Sequence, residues 1–306
     1  MFSVLFPGQG SQSVGMARDL YDNFDYIKEL FKEADEALNF SISKLIFEGP
    51  KELLNETENT QPAIFMVSYA IFHVIKKESS FDISKADFFA GHSLGEYSAL
   101  ACSNVINFKE TIKLLKIRGK AMQNAVPKNE GAMVAVLGTD INKVLELIHN
   151  NKTEFNVFLA NDNSVGQAVI SGRINEIEKF TNLLKKLNIK NIKLPVSAPF
   201  HCALMSPATQ IMDNKIKNIN FSTPKNKIVS NVTAEPSNDP DVIKKLLIDQ
   251  IEKPVRWRES IINMINFGNK KFIEIGPGKI LSGLVKRIDR NVETIQVNNL
   301  DDLKIL

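Results

Sequence analysis

The sequence predicts an α/β protein with a small subdomain set into a larger one, and three observations carry that prediction. Apolar runs of strand length alternate with amphipathic or buried helical stretches through residues 2–122, the rhythm of a layered α/β fold. Phe88-Phe89-Ala90 runs into Gly91-His92-Ser93-Leu94-Gly95, a glycine-flanked serine on a sharp turn from strand to helix. From residue 131 to 195 the order changes to β-α-β-β-α-β, a supersecondary unit of a size that could stand alone.

In chain order, residues 2–6 form a buried strand, and Pro7-Gly8-Gln9-Gly10-Ser11-Gln12 is a loop whose backbone can come close to a ligand. The glycines do not make a nucleotide site. A dinucleotide fingerprint starting at Gly8 needs glycine where Ser13 stands, and no G-x-x-x-x-G-K-[ST] loop occurs. Gly276-Pro277-Gly278-Lys279 fails too, because Ile273 and Ile280 hold the glycine and hydroxyl positions. Residues 22–38 carry a helical stripe of Phe24, Ile27, Phe31, Ala34 and Leu38. Pro62 starts a second helix, apolar on most sides. Residues 88–90 are the strand before the turn, 96–102 the helix after it, and 108–122 a helix with Ile112, Leu115 and Gly119 inward.

The middle segment reads as strand 132–137, helix 141–149, strands 157–160 and 168–171 joined across the polar Asn161-Asp162-Asn163-Ser164, helix 176–187 and strand 189–194. That order is ferredoxin-like. It divides the chain into a large domain, 1–128 with 196–306, and a small subdomain, 129–195. After it come the proline-rich loop 195–201, helix 207–217, strand 228–230, helices 239–250 and 257–265, and strand 271–275 running into Gly276-Pro277-Gly278.

The 306 residues are 43% hydrophobic, enough for a sizeable core, and carry a formal charge of only +3. No general role on polyanions follows, so neither nucleic acid nor membrane is an expected partner. Two cysteines, Cys102 and Cys202, suggest neither a disulfide framework nor a cysteine-rich metal site. Residues 63–75 are the longest greasy stretch and too short to span a bilayer. Met1 leads straight into the first strand without a basic leader. A reducing, cytoplasmic setting is expected.

The G-x-S-x-G turn is a nucleophile elbow: it thrusts the serine oxygen out of a strained backbone and points neighbouring amides at any developing oxyanion. A serine hydroxyl needs a base, normally histidine. His73 lies in the apolar helix, His149 ends a helix, and His92 adjoins Ser93 on an elbow where neighbouring side chains diverge. His201 remains, at the end of a loop stiffened by Pro195 and Pro199. No Asp or Glu between Ser93 and His201 sits where an orienting acid would be expected. Cys202 is a weaker rival nucleophile, because sequence adjacency to a histidine is not attack geometry.

Several blocks, in order over nearly the whole chain, agree with one family. They are Phe6-Pro7-Gly8-Gln9-Gly10-Ser11-Gln12, Gly91-His92-Ser93-Leu94-Gly95-Glu96-Tyr97, Arg118-Gly119, Asn163-Ser164 with Gly166-Gln167 and Ile170-Ser171-Gly172, Pro195-Val196-Ser197-Ala198-Pro199-Phe200-His201, and Glu274-Ile275-Gly276-Pro277-Gly278. The chain resembles the malonyl-CoA:acyl carrier protein transacylases of type II fatty acid synthesis. That resemblance implies a hydrolase-like large domain and a ping-pong transfer from malonyl-CoA to the phosphopantetheine thiol of acyl carrier protein. Ser93 would be acylated and His201 would be the base, oriented by the main-chain carbonyl at Gln250 in place of an acid. The amides of Gln9 and Leu94 would form the oxyanion hole. Arg118 would grip the malonyl carboxylate, Phe200 would fill the space of an α-methyl, and Met122 and Asn161 would wall the pocket. No metal or cofactor is implied, and a monomer is expected. Lys185, Lys186, Lys190, Lys193, Lys286, Arg287 and Arg290 are candidates for meeting an acidic carrier. A serine thioesterase or hydrolase, and a stand-alone acyltransferase for a polyketide synthase, share these motifs.

Overall fold

The computed structural model describes residues 1–196 and 198–306. β1 (Phe2–Phe6) is followed by α1 (Arg18–Asn23), α2 (Asp25–Leu38), α3 (Ile42–Glu48), α4 (Lys51–Leu54) and α5 (Thr57–Glu78). β2 (Phe88–Gly91) leads into α6 (Gly95–Cys102) and α7 (Phe108–Gln123). The middle holds β3 (Gly131–Leu137), α8 (Ile141–Asn150), β4 (Val157–Ser164), β5 (Gln167–Arg173), α9 (Ile174–Lys186) and β6 (Lys190–Lys193). Then come α10 (Ser206–Ile216), β7 (Lys227–Val229), β8 (Pro236–Ser237), α11 (Pro240–Asp249), α12 (Trp257–Asn266), β9 (Lys271–Ile275), α13 (Ile280–Ile288) and β10 (Glu293–Val297).

The large sheet runs β10-β9-β1-β2-β7-β8. Its first five strands are parallel, whereas β8 pairs antiparallel with β7, so the sheet is mixed and not wholly parallel. Its central strands are buried on both faces, and their side chains alternate between two cores with the two-residue period of a strand. Val4 and Phe6 of β1, Phe89 of β2, and Ile273 and Ile275 of β9 join the core that includes α2, α5 and α7. Leu5, Phe88, Ala90 and Phe272 face the other core, with Trp257 of α12 and Leu281 and Val285 of α13. A second, antiparallel sheet, β4-β5-β3-β6, has its own core with Val144 of α8 and Phe180 of α9.

Three expectations about elements are corrected. The 22–38 helix is two helices, α1 and α2, separated by extended Phe24. Helix α5 begins at Thr57, and Pro62 lies inside it. Side chains stabilise the early start: Asn59 Nδ2 donates to the Leu53 carbonyl at 2.9 Å and Thr60 Oγ1 to the Leu54 carbonyl at 2.6 Å. Asn161-Asp162-Asn163-Ser164 is not a connection but the buried second half of β4. Its polarity is matched by partners: Asp162 forms a 2.8 Å ion pair with Arg258 of α12, and the backbone of Ala160 and Asp162 bonds Val255 at 2.8 and 2.9 Å. Those bonds join the small sheet to α12 and the segment before it. Beyond the Gly276-Pro277-Gly278 turn the chain adds α13 and β10. Among the described residues no helix is long and apolar enough to cross a membrane.

Candidate active site

β2 ends at Gly91 and α6 begins at Gly95, with Ser93 between them in the left-handed region at φ 55°. Such a conformation costs a residue with a Cβ about 1–3 kcal/mol and persists only where its surroundings hold it. Here the flanking glycines are sterically required. A Cβ on Gly91 would sit 1.9 Å from the Gly95 carbonyl carbon, and one on Gly95 2.2 Å from the Phe6 carbonyl oxygen. Asn231 fastens the turn from the side: its Oδ1 accepts from the Ser93 amide at 2.7 Å and its Nδ2 donates to the Gly91 carbonyl at 2.7 Å. Asn231 was missed in the sequence. It lies two residues beyond Val229, the partner of Ala90 in the β2–β7 pairing, so only the register of a distant strand brings it to the elbow.

The Ser93 hydroxyl donates to Nε2 of His201 at 2.9 Å, and Nδ1 of His201 donates to the Gln250 carbonyl at 2.8 Å. A carbonyl can only accept, so Nδ1 carries the proton and Nε2 keeps its lone pair toward Ser93. Burial, with Arg118 nearby, lowers the imidazole to about 3 against the support of the Gln250 carbonyl. The ring is therefore neutral, and its Nε2 lone pair faces Ser93. The other histidines are elsewhere engaged. Nε2 of His92 bonds Asn163 Oδ1 at 2.9 Å, while the His73 ring packs at a tilt against Tyr69 with ring centroids 4.4 Å apart. His149 stands in the last turn of α8. Cys202 is buried, donates to the Pro199 carbonyl, and has its thiol pushed up by burial, which removes it as a rival nucleophile.

Arg118 emerges from α7 fully buried. Nη1 donates to Gln61 Oε1 at 2.8 Å, and Nη2 to Gln250 Oε1 at 2.7 Å and to Ser93 Oγ at 3.2 Å. All three acceptors are neutral. A cavity of about 170 Å³ is lined by Ser93, His201 and Arg118 together with Gln9, Leu94, Met122, Asn161 and Phe200. Gln250 lies beneath it, held through its carbonyl and side chain. A second cavity of about 390 Å³ shares Gln9 and Val196 with the first and is bordered by Lys120 and Lys128. Of the 195–201 motif, Ser197 lies outside the described residues.

The family model for the acyl transferase domain matches residues 4–300. The chain belongs to that family. Among curated relatives of this acyltransferase, the malonyl CoA-acyl carrier protein transacylase of Haemophilus influenzae is 41% identical over 98% of the chain and 96% of its own length. The protein of the same name from Bacillus subtilis is 42% identical, covering 99% and 95%. Among solved structures, an acyl carrier protein S-malonyltransferase from Vibrio cholerae superposes with a TM-score of 0.95 at 41% identity, over 99% of each chain. A malonyl-transacylase solved with a type II polyketide synthase acyl-carrier protein gives 0.94 at 38% identity, over 99% of this chain and 97% of that one.

One further acidic group belongs to the acyltransferase site. Glu96, in the first turn of α6, is 1% exposed, and its Oε2 accepts from Gln250 Nε2 at 2.8 Å and from the Asn231 amide at 3.1 Å. Burial raises its carboxyl to about 7, against the pull of those two hydrogen bonds and of Arg118.

Proposed function

We propose that this acyltransferase moves a malonyl group from malonyl-CoA to the phosphopantetheine thiol of acyl carrier protein, supplying extender units for fatty acid synthesis. The observation that carries the reading is Arg118: a buried guanidinium with neutral acceptors, 3.2 Å from the nucleophile oxygen. An unneutralised guanidinium beside the acylated atom suits an acyl group that ends in a carboxylate, which its fork grips through two charge-assisted hydrogen bonds.

Ser93 Oγ attacks the thioester carbon while its proton passes to Nε2 of His201. The amides of Gln9 and Leu94 receive the oxyanion. The C–S bond then breaks, the imidazolium returns the proton to the departing CoA thiolate, and malonyl remains as an ester on Ser93. In the second half His201 takes the proton of the carrier's thiol, the thiolate attacks the ester, and Ser93 leaves with the proton restored. A main-chain carbonyl behind His201 fixes the tautomer without adding charge, so the imidazolium is a transient carrier. Met122 and Asn161 wall the acyl pocket and Phe200 excludes an α-methyl. No cofactor enters either half. The 390 Å³ cavity beside Gln9, bordered by Glu52, Glu56 and Glu58 as well as Lys120 and Lys128, is where the pantetheine arm enters.

The hydrolase-like large domain (1–128 with 196–306) carries the dyad, and the ferredoxin-like subdomain (129–195) closes the cleft. We place the enzyme in the cytoplasm as a monomer. Exposed Lys185, Lys186, Lys190 and Lys193 are the stronger candidates for an acidic carrier, because Lys286 and Arg287 are engaged with Val292 and Gln167. The solved complex with a polyketide carrier favours a polyketide acyl-carrier protein as the alternative acceptor. Intact-mass measurement tests the reading: malonyl-CoA should leave a malonyl adduct, absent in Ser93→Ala, that holo carrier discharges. Free malonate released without carrier at the transfer rate would establish hydrolysis instead.

A further inference from the structure

The Gln250 side chain joins the Arg118 guanidinium to a buried carboxylate. Its Oε1 accepts from Arg118 at 2.7 Å, while Nε2 donates to Glu96 at 2.8 Å and to the Ser93 carbonyl at 2.9 Å. With the amide reversed, an NH₂ would face the guanidinium and an oxygen would face the carboxylate, so each contact would become repulsive. We propose that Glu96 is a positioning residue for acyl selectivity: through Gln250 it anchors a neutral oxygen against Arg118 and keeps its own charge one amide away.

Two requirements meet in this arrangement. Arg118 is buried and needs acceptors to be held in one orientation. A carboxylate in direct contact would satisfy it but would also neutralise the charge that must bind a substrate carboxylate. An amide bridge gives Nη2 of the guanidinium an acceptor without cancelling its charge. The same Glu96 oxygen accepts from the backbone of Asn231, whose side chain holds both Ser93 and Gly91. One carboxylate oxygen thus ties the specificity residue to the elbow. Burial raises the Glu96 carboxyl to about 7, and in either form its Oε2 accepts from Gln250, so the amide keeps one orientation and no carboxylate touches Arg118 directly.

The proposal rests on the malonyl reading above, and the test separates the two. Serine acylation rates with malonyl-CoA and acetyl-CoA are measured by intact mass for wild type, Glu96→Gln, Glu96→Leu and Gln250→Glu. Glu96→Gln places an amide oxygen where Oε2 stands and should keep the wild-type malonyl preference. Glu96→Leu removes the anchor, and the preference should fall about tenfold, the scale of one reoriented hydrogen bond to a charged group. Gln250→Glu keeps the main-chain carbonyl that holds His201 but puts a carboxylate on Arg118, so malonyl acylation should fall far more than acetyl. If Glu96→Leu unfolds, Gln250→Glu decides alone. A folded Glu96→Leu or Gln250→Glu with wild-type preference overturns the proposal, as does Glu96→Gln losing as much preference as Glu96→Leu. Wild type without malonyl preference overturns the functional reading itself.

Discussion

Nδ1 of His201 donates to the main-chain carbonyl of Gln250 at 2.8 Å, and no acidic side chain takes that place. The imidazole is therefore fixed in one tautomer by a dipole and not by a charge. Its partner Ser93 lies 2.9 Å from Nε2. His201→Ala should lower the rate of serine acylation by about 10²–10⁴, the usual contribution of a positioned base. Time-resolved intact mass checks this, and an adduct forming at the wild-type rate would place the base elsewhere.

Arg118→Ala should cost about 100-fold in malonyl acylation, within the range for removing one member of a buried, hydrogen-bonded charge pair, with a relative gain for acetyl-CoA. Arg118→Lys should recover little, because an ammonium lacks the planar fork. Competition between the two thioesters gives the ratio directly. An unchanged ratio in Arg118→Ala would remove the carboxylate clamp.

Asn231→Ala leaves the Ser93 amide and the Gly91 carbonyl without their side-chain partner. About 1–3 kcal/mol of stability should be lost for buried groups left unpaired, together with acylation rate, since the strained serine loses its lateral hold. Denaturant unfolding reads the first effect and intact mass the second.

The pH dependence of stability follows from His201. Its folded value, about 3, lies below the unfolded 6.5. Above pH 6.5 the ring is neutral in both states, so it contributes no pH dependence. As pH falls from 6.5 toward 3 the unfolded chain binds a proton that the folded one refuses, and stability drops. A His201→Asn variant lacks this loss. Its melting temperature relative to wild type should therefore rise on acidification across that window. A difference independent of pH would show that His201 is not held neutral.

Phe200 borders the acyl cavity of about 170 Å³. Phe200→Ala should raise methylmalonyl acylation relative to malonyl by about tenfold or more, the discrimination available from one carbon in an apolar pocket. Parallel acylation with both thioesters measures it.

Legibility in the sequence followed the range of the interactions. The elbow was readable because a positive-φ serine between two close-packed backbones demands glycine on either side, a local constraint that leaves local letters. The element order of residues 131–193 was readable because apolar periodicity marks strands and helices. The polar stretch 161–164 was misread as a connection, because Asp162 and Asn163 are balanced by Arg258 and His92, far away in sequence. The start of α5 was misplaced for a related reason: the bonds from Asn59 and Thr60 to the preceding helix outweigh the signal of Pro62.

By itself the sequence determined the alternation of strand and helix and the strained serine turn, and its resemblance to a family offered Ser93, His201 and Arg118 as nucleophile, base and carboxylate clamp. Periodicity, glycine spacing and side-chain chemistry are properties of short stretches. Only the tertiary structure decided that Asn231 holds the elbow, that Glu96 shares an oxygen between Asn231 and Gln250, and that Arg118 is buried among neutral acceptors. Those contacts join residues from 25 to 154 positions apart. Their geometry exists only once parallel strands have set β2 beside β7 and α7 has packed beneath the turn.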